Sequence, residues 1–141
     1  LPFPTDSLYI FSFIKSKYTE STTPGIVGKN VEFVPENNFK TGLQYGYKNL
    51  AANVQYSFIS DQFTDSSNAI EGNLSGVIGV IPSYSLLDFS GSYSLNNIKL
   101  EFGINNLLNE AYFTRRATGY PGPGIIPSPN RNIYISTQIK F

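Results

Sequence analysis

The residue types that carry most protein chemistry are scarce in this sequence. It contains no His and no Cys, so the usual general base, the commonest metal ligand and the thiolate nucleophile are all missing. Its ten acidic residues do not cluster at metal-ligand spacing, and no Ser has an evident base partner. We therefore predict that the protein is not an enzyme and that it holds no metal or other cofactor.

An arginine pair, Arg115-Arg116, is the best candidate for recognition chemistry. Guanidinium groups are planar and permanently charged, and they bind carboxylates through two parallel hydrogen bonds. In the segment Tyr120-Pro-Gly-Pro-Gly124 that follows, Pro fixes φ and Gly permits positive φ, which predicts a tight, stiff loop. Arg115, Arg116 and Tyr120 are therefore the candidate ligand-facing residues. The alternative is that both arginines pair with nearby loop acids.

The composition indicates an all-β protein. The 141 residues include ten Tyr and eleven Phe, and Asn, Ser, Thr and Gly are plentiful, which suits strands and turns better than helices. Ten basic and ten acidic residues give a formal charge of zero, which argues against a nucleic-acid partner held by electrostatics. No apolar run approaches the length of about 18 residues that a membrane helix needs.

Residues 131–141 alternate in a way that places apolar side chains on one face of a strand and polar ones on the other. The apolar side chains are Ile133, Ile135, Thr137, Ile139 and Phe141. A dyad-alternating strand of about ten residues that ends in an aromatic is typical of a bacterial outer-membrane barrel. An ordinary amphipathic strand over a soluble core would alternate in the same way.

The whole chain predicts six strands, at 7–18, 31–47, 50–62, 84–95, 98–105 and 131–141. Long connections at 19–30, 63–83 and 106–130 alternate with tight turns at Lys48-Asn49 and Asn96-Asn97. In an up-and-down meander this order places every long loop at one end of the sheet, as in outer-membrane barrels. A Greek-key sandwich would mix its connection lengths.

The alternation also assigns faces if the sheet belongs to a barrel. The side chains expected to face lipid are Ile98, Leu100, Phe102, Ile104, Ile133, Ile135, Ile139 and Phe141, and those expected to face the lumen are Lys99, Glu101, Gln138 and Lys140. Aromatic residues gather at the tight-turn ends of their strands, namely Tyr45, Tyr47, Tyr93 and Phe141. We predict that they form an interfacial girdle.

One motif resembles a known family. Gly103-Ile-Asn-Asn-Leu-Leu-Asn-Glu-Ala-Tyr112, followed after a gap by a strand that ends in Phe, resembles the C-terminal end of TonB-dependent outer-membrane receptors. The segment 114–126 is similar to the ferric-citrate-receptor-like branch. Weaker similarities of order and spacing occur at 34–36, 61–65 and 81–84. The resemblance covers about residues 31–141.

The resemblance implies a fold, a location and a set of partners. Family members are 22-stranded barrels with an N-terminal plug in the lumen, so this chain is expected to supply the last six strands of a longer polypeptide. The implied partners are the plug and earlier strands of the same receptor, the TonB complex acting through that plug, outer-membrane lipid and the barrel assembly machinery. The terminal strand, with Ile133, Ile135, Ile139 and Phe141, is the candidate assembly and lipid-facing element.

The function that the resemblance implies is active transport of a ferric chelate, either ferric citrate or a siderophore, into a bacterium. Ferric citrate is an anionic carboxylate complex, which suits Arg115 and Arg116; the alternative places these arginines beside lipopolysaccharide phosphates. Two other functions stay open at this point. One is a soluble extracellular β-domain for adhesion or binding, and the other is a different outer-membrane barrel, such as a porin or an autotransporter.

Overall fold

The chain folds into antiparallel β-sheet, as a computed structural model that describes residues 5–120 and 122–141 shows. Its strands are β1 (Thr5–Phe13), β2 (Asn37–Tyr47), β3 (Leu50–Ile59), β4 (Gln62–Phe63), β5 (Val80–Ile81), β6 (Tyr84–Leu95), β7 (Ile98–Asn105), β8 (Phe113–Ala117), β9 (Gly124–Pro127) and β10 (Asn132–Ile139). The described residues include no helix that is long and apolar enough to cross a membrane, a result that does not bear on proteins whose strands cross one.

The predicted meander is confirmed. Six strands form one sheet in the order β1-β2-β3-β6-β7-β10, and all neighbours in it are antiparallel. Two small sheets, β4-β5 and β8-β9, stand apart from it. Because β1 and β10 lie at opposite edges, the described part of the chain forms an open sheet and not a small closed barrel.

Three predicted strand boundaries are wrong by three residues or more. β1 ends at Phe13 and not at residue 18, and β2 begins at Asn37 and not at residue 31. Between them Phe33 has a φ of 58°, which takes the backbone out of the extended region that a ladder requires. β3 ends at Ile59 and not at residue 62. There the Ser60 hydroxyl accepts a hydrogen bond from the Asn37 N–H at 3.1 Å, in the place of a ladder carbonyl.

The predicted alternation of long and short connections is confirmed. Lys48-Asn49 joins β2 to β3, and Asn96-Asn97 joins β6 to β7. Lys48 and Asn96 have φ values of 51° and 50°, the left-handed conformation that a two-residue hairpin turn uses. The three long connections all start and end at the opposite end of the sheet.

The register places the predicted apolar residues of β7 and β10 on one face. Phe102 pairs with Ile135, and Ile104 pairs with Ile133. Directly paired residues lie on the same side of a sheet, so this face continues from β7 onto β10. The opposite face carries the predicted polar set within these strands, Lys99, Glu101 and Gln138. Phe141 lies beyond the last residue of β10.

The six-stranded sheet has no hydrophobic core of its own in the described residues. The buried hydrophobic side chains there are Ile26, Ile81 and Ala117, none of which belongs to the six strands. Apolar side chains of the sheet stay exposed, with Ile135 at 78% and Phe11 at 65%. A contiguous apolar surface of this extent indicates a contact with lipid or with other protein.

Candidate ligand-facing loops

Three long connections lie at one end of the sheet. We name them loop 1 (14–36), loop 2 (60–83, which contains β4 and β5) and loop 3 (106–131, which contains β8 and β9). All three candidate ligand-facing residues belong to loop 3. The contacts within and between the loops decide how these residues are presented.

Loop 1 is closed on itself by Tyr18. The backbone carbonyl of Tyr18 accepts from the Gly28 N–H at 2.8 Å, and its N–H donates to the carbonyl of Lys29 at 3.0 Å. Its hydroxyl donates to the Glu32 carboxylate. That hydrogen bond, with partial loss of hydration and the negative charge of Glu32, raises the pKa of Tyr18 above its ordinary value. The phenol is therefore a proton donor throughout the neutral pH range.

Loops 1 and 2 are joined by two asparagines. The N–H of Asn30 donates to Oδ1 of Asn68 at 2.7 Å, and Nδ2 of Asn68 donates to the carbonyl of Asn30 at 2.8 Å. Asn68 has a φ of 55°, a conformation that Asn adopts more readily than most residues. Sequence reasoning missed this pair, although the Asp65-Ser-Ser-Asn68 run is a turn signal.

Loops 2 and 3 are joined by Arg116. Its Nη1 donates to the carbonyl of Gly76 and its Nη2 to the carbonyl of Val80, each at 2.9 Å. The guanidinium carbon also lies 5.2 Å from the centre of the Phe113 ring, within the range of a cation–π contact. Nε of Arg116 is buried and has no hydrogen-bond partner among the described residues. The side chain is thus directed into loop 2.

Arg115 lies where the β8-β9 ladder is irregular. Phe113 pairs with Pro127 and Arg116 pairs with Ile125, so β8 carries one residue more than β9 between these pairs. Such a bulge bends the strand and redirects its side chains. Arg115 lies in the bulge and is exposed. The structure therefore separates the two arginines that the sequence presents as a pair.

Tyr120 is 98% exposed at the turn between β8 and β9. The predicted tight loop is supported by the Gly122 N–H, which donates to the Gly119 carbonyl at 2.7 Å, and by φ values of 146° at Gly122 and 122° at Gly124. Pro121, part of the segment predicted to be stiff, lies outside the described residues.

Charge is unevenly divided between loops 2 and 3. Loop 3 contains three arginines and one glutamate, a formal charge of +2, whereas loop 2 contains three acids and no basic residue, a formal charge of −3. The ion pair found in the described residues, Lys99 with Glu101, lies on the sheet. Neither Arg115 nor Arg116 pairs with a loop acid in that part of the chain. No group of three or more acidic side chains there could hold a metal ion.

The motif that carries the family resemblance forms a turn around the buried side chain of Asn106. Asn106 is only 4% exposed; its backbone N–H donates to the Asp88 carboxylate at 2.8 Å, and its Oδ1 accepts from the Glu110 N–H at 2.8 Å. Its Nδ2 donates to the Glu110 carbonyl at 2.9 Å. Asn109 accepts from the N–H of Arg131 at 3.1 Å, next to the start of β10. The motif therefore fixes the start of loop 3 and the entry to the last strand.

Similarity to known proteins identifies the family of the chain. The sequence model of the TonB dependent receptor-like β-barrel matches residues 5–107. The chain belongs to this family. The prediction from the Gly103–Tyr112 motif is thereby confirmed, as is the all-β, antiparallel fold class. No curated protein sequence matches the chain.

Several transporters and receptors of known structure have the same fold over nearly the whole chain. The ferric citrate transporter FecA in its unliganded form is 24% identical with a TM-score of 0.86, over 97% of this chain and 21% of that one. The siderophore receptor PiuA from Acinetobacter baumannii is 19% identical with a TM-score of 0.77, over 97% and 20%. The ferric yersiniabactin uptake receptor FyuA from Yersinia pestis is 16% identical with a TM-score of 0.77, over 97% and 21%. The chain spans about a fifth of the length of these proteins.

Proposed function

We propose that this chain supplies six strands and three external loops to a bacterial outer-membrane receptor that imports a ferric chelate with energy from the TonB complex. The observation that carries the proposal is an open sheet with one exposed apolar face in a member of this family. The receptors of similar fold named above take ferric citrate, a siderophore and ferric yersiniabactin. The role is transport and not catalysis.

The exposed face supports a location in lipid. Burial of apolar surface is favourable by about 25 cal/mol per Å², and this face has no protein cover in the described residues. Its aromatic residues near the tight turns, Tyr45, Tyr47 and Tyr93, fit an interfacial girdle. The unpaired backbone groups at the β1 and β10 edges would cost several kcal/mol each in hydrocarbon. Further strands of the same receptor are therefore its first partners.

The inner face of β1 supports a partner inside the barrel. Leu8 is 61% exposed and Ile10 is 49% exposed, and both lie on the side of the sheet that carries Lys40 and Gln55. With Lys40 and Gln55 they line a groove of about 480 Å³. A wet lumen would leave these apolar side chains in water, whereas a plug domain would cover them. That plug is the proposed contact through which the TonB complex acts.

The last strand supports a role in assembly. Ile133, Ile135 and Ile139 of β10 are all exposed at the edge of the sheet. Neither their side chains nor the outer backbone edge of β10 is covered by another strand of the described residues. We assign this strand, with Phe141 beyond it, to the contact with the barrel assembly machinery and then with lipid.

Loop 3 supports an anionic ligand. Its formal charge is +2, and Arg115 and Tyr120 are exposed near its tip. A ferric citrate or ferric siderophore complex with net negative charge would be attracted to this charge, and low-dielectric walls would focus the field.

Cell fractionation tests the location. The receptor that carries this chain should be found in the outer membrane and should need detergent for extraction. A soluble adhesion domain would stay in the aqueous fraction. Uptake of ⁵⁵Fe should also stop in cells without a functional TonB complex, whereas a porin would continue to conduct. Recovery of the receptor in the aqueous fraction would refute the proposal. Uptake of ⁵⁵Fe at an undiminished rate in cells without a functional TonB complex would also refute it.

Binding of ⁵⁵Fe-citrate, ferric enterobactin and ferric yersiniabactin to intact cells tests the ligand. Arg115→Ala should slow capture of the probe that the wild type binds and should reduce the dependence of its rate on salt. Arg131→Ala is the matched control, because it removes the same charge at the base of loop 3. Equal effects of the two substitutions, at equal surface abundance, would remove Arg115 from the ligand site.

A further inference from the structure

Loop 2 contains a socket that fits the guanidinium group of Arg116. The carbonyls of Gly76 and Val80, four positions apart, converge on Nη1 and Nη2. Gly79 leaves the room for it. A Cβ atom on Gly79 would lie 3.2 Å from Nη2, closer than an ordinary contact, whereas one on Gly72 would lie at an ordinary distance of 3.7 Å from Nη1. A side chain on Gly79 would therefore push the guanidinium away from its place.

The socket also depends on backbone conformations that glycine adopts readily. Gly76 has a φ of 70° and Gly79 has a φ of 131°, where residues with a Cβ atom are strained. Gly79 packs on loop 2 itself, since its Cβ would lie 3.0 Å from the Cα of Gly72. The hydroxyl of Thr64 accepts from the Gly79 N–H at 3.0 Å and donates to its carbonyl at 2.7 Å. Loop 2 is thus folded around the point where Arg116 enters.

A second contact between loops 2 and 3 lies beside the socket. A Cβ atom on Gly76 would lie 3.2 Å from the Cα of Gly124 in β9, so the two backbones touch at a point where neither residue has a side chain. Ile81, whose side chain is fully buried, and Ala117, which is 8% exposed, complete the packing of β5 and β8. The two loops therefore share a small core.

We propose that Arg116 is a positioning residue, which locks loops 2 and 3 into a single ligand-capturing unit, and that Arg115 attracts the anionic chelate to this unit through its charge. This inference rests on the proposed function. The guanidinium of Arg116 donates to two backbone carbonyls, whereas Arg115 is exposed in the irregular part of β8. Loop 2, though its own formal charge is −3, thereby takes part in capture by holding Arg115 in place.

Lysine substitutions separate the two roles. A lysine keeps the charge, but its ammonium group cannot reproduce the planar fork that reaches two carbonyls at once. Arg116→Lys should therefore release loop 3 from loop 2. Arg115→Lys should keep most of the attraction for an anion, since attraction at a distance needs only the charge. Gly79→Ala provides an independent disruption from the loop 2 side.

The first readout needs no ligand. Spin labels at Leu74 and Thr118, both exposed, report the distance between loops 2 and 3 in the complete receptor. Arg116→Lys and Gly79→Ala should broaden the distribution of this distance, and Arg115→Lys and Arg115→Ala should leave it unchanged. An unchanged distribution in Arg116→Lys would overturn the lock.

The second readout is binding of ⁵⁵Fe-citrate, ferric enterobactin and ferric yersiniabactin to intact cells at equal surface abundance. Arg116→Lys should weaken binding of the active probe about tenfold, near the lower end of the loss expected when lysine keeps only one of two hydrogen bonds made by a charged group. Arg115→Lys should change it about twofold or less, and Arg115→Ala should weaken it with no change in loop distance.

Weaker binding in Arg116→Lys with an unchanged distance would mean that Arg116 touches the ligand itself, against the proposal. If no probe binds the wild type, the proposed ligand class fails, and the distance measurement still decides whether Arg116 locks the loops.

Discussion

The ring of Phe102 on β7 lies over Gly91 on β6, where a Cβ atom on Gly91 would be 2.7 Å from Cε1 of the ring. The two residues are direct cross-strand partners on the apolar face. Phe102 also packs against Phe89, with ring centres 5.5 Å apart. The missing side chain of Gly91 thus provides the space that the aromatic pair occupies, an arrangement known to pin register in designed sheets.

Gly91→Ala should therefore destabilise the receptor. The new methyl group displaces Phe102 from its place beside Phe89, and overpacking of this kind costs about 1–3 kcal/mol. Heat-induced loss of the folded band on a gel measures the change. Gly46→Ala on β2 is the control, because a Cβ atom there would have nothing within 4 Å. Equal midpoints for the two variants would contradict the packing argument.

A second aromatic residue covers a glycine on the opposite face of the sheet. Tyr134 on β10 is paired with Gly103 on β7, and a Cβ atom on Gly103 would lie 2.5 Å from Oη of the tyrosine. Gly103→Ala should destabilise the edge that β10 forms, and the cost should almost vanish when Tyr134→Ala is already present. A double-mutant cycle measures this coupling, for which we expect about 0.5–3 kcal/mol. Additive effects would mean that the ring moves aside freely.

The two faces of β7 should respond differently to charge. Phe102→Arg would place a guanidinium in hydrocarbon, at a cost of about 2–4 kcal/mol near the bilayer midplane. Glu101→Arg changes the adjacent residue on the polar face, so its cost should be much smaller. Folding yield into lipid vesicles measures both. Equal tolerance at the two positions would count against the membrane location.

The faces and the order of the strands could be predicted because alternation is a local property. In β7, the run from Ile98 to Asn105 specifies one apolar and one polar face without reference to any neighbour. The two faces of β1 were harder to predict, because Leu8 and Ile10 on its second face interrupt the alternation. The end of β1 at Phe13 was missed because it depends on how loop 1 turns at Phe33.

The loop contacts could not be predicted, because their partners are far apart in sequence. Arg116 reaches carbonyls 36 and 40 positions away. Every residue has a backbone carbonyl, so residue types do not indicate which carbonyls will accept a hydrogen bond. The resemblance located the motif around Asn106, but its role as a turn held by this buried side chain follows from hydrogen bonds that only the folded structure shows. The glycines of loop 2 were the available signal for the socket.

The hydrogen bond between Tyr18 and Glu32 in loop 1 should depend on pH in the alkaline range. The pKa of Tyr18 is raised, first by this bond and then by lost hydration and the charge of Glu32. A group whose folded pKa is raised stabilises the fold fully below its unfolded pKa, here about 10, and the effect is lost as pH rises through the folded value. The ionisation of Tyr18 is measured as the difference in absorbance between wild type and Tyr18→Phe at alkaline pH. Its midpoint should lie at a higher pH than that of free tyrosine. Glu32→Gln should move that titration to lower pH, and an unmoved curve would show that the bond is absent.

Asn106 should be the residue of loop 3 whose isosteric replacement is most costly to the fold. Asn106→Asp keeps the acceptor for the Glu110 N–H, but it loses the Nδ2 donor that bonds the Glu110 carbonyl at 2.9 Å and places a carboxylate near Asp88. A buried polar group without its partner costs about 1–3 kcal/mol, so the amount of folded receptor at the cell surface should fall and its heat stability should drop.

Asn105→Asp is the matched control, since Asn105 is exposed and its side chain makes one hydrogen bond, to Asn132. Ligand affinity per folded receptor should be unchanged in both variants, because the motif fixes the entry to β10 and not the tip of loop 3. A selective loss of affinity in Asn106→Asp, at normal abundance, would instead place the motif in the ligand site.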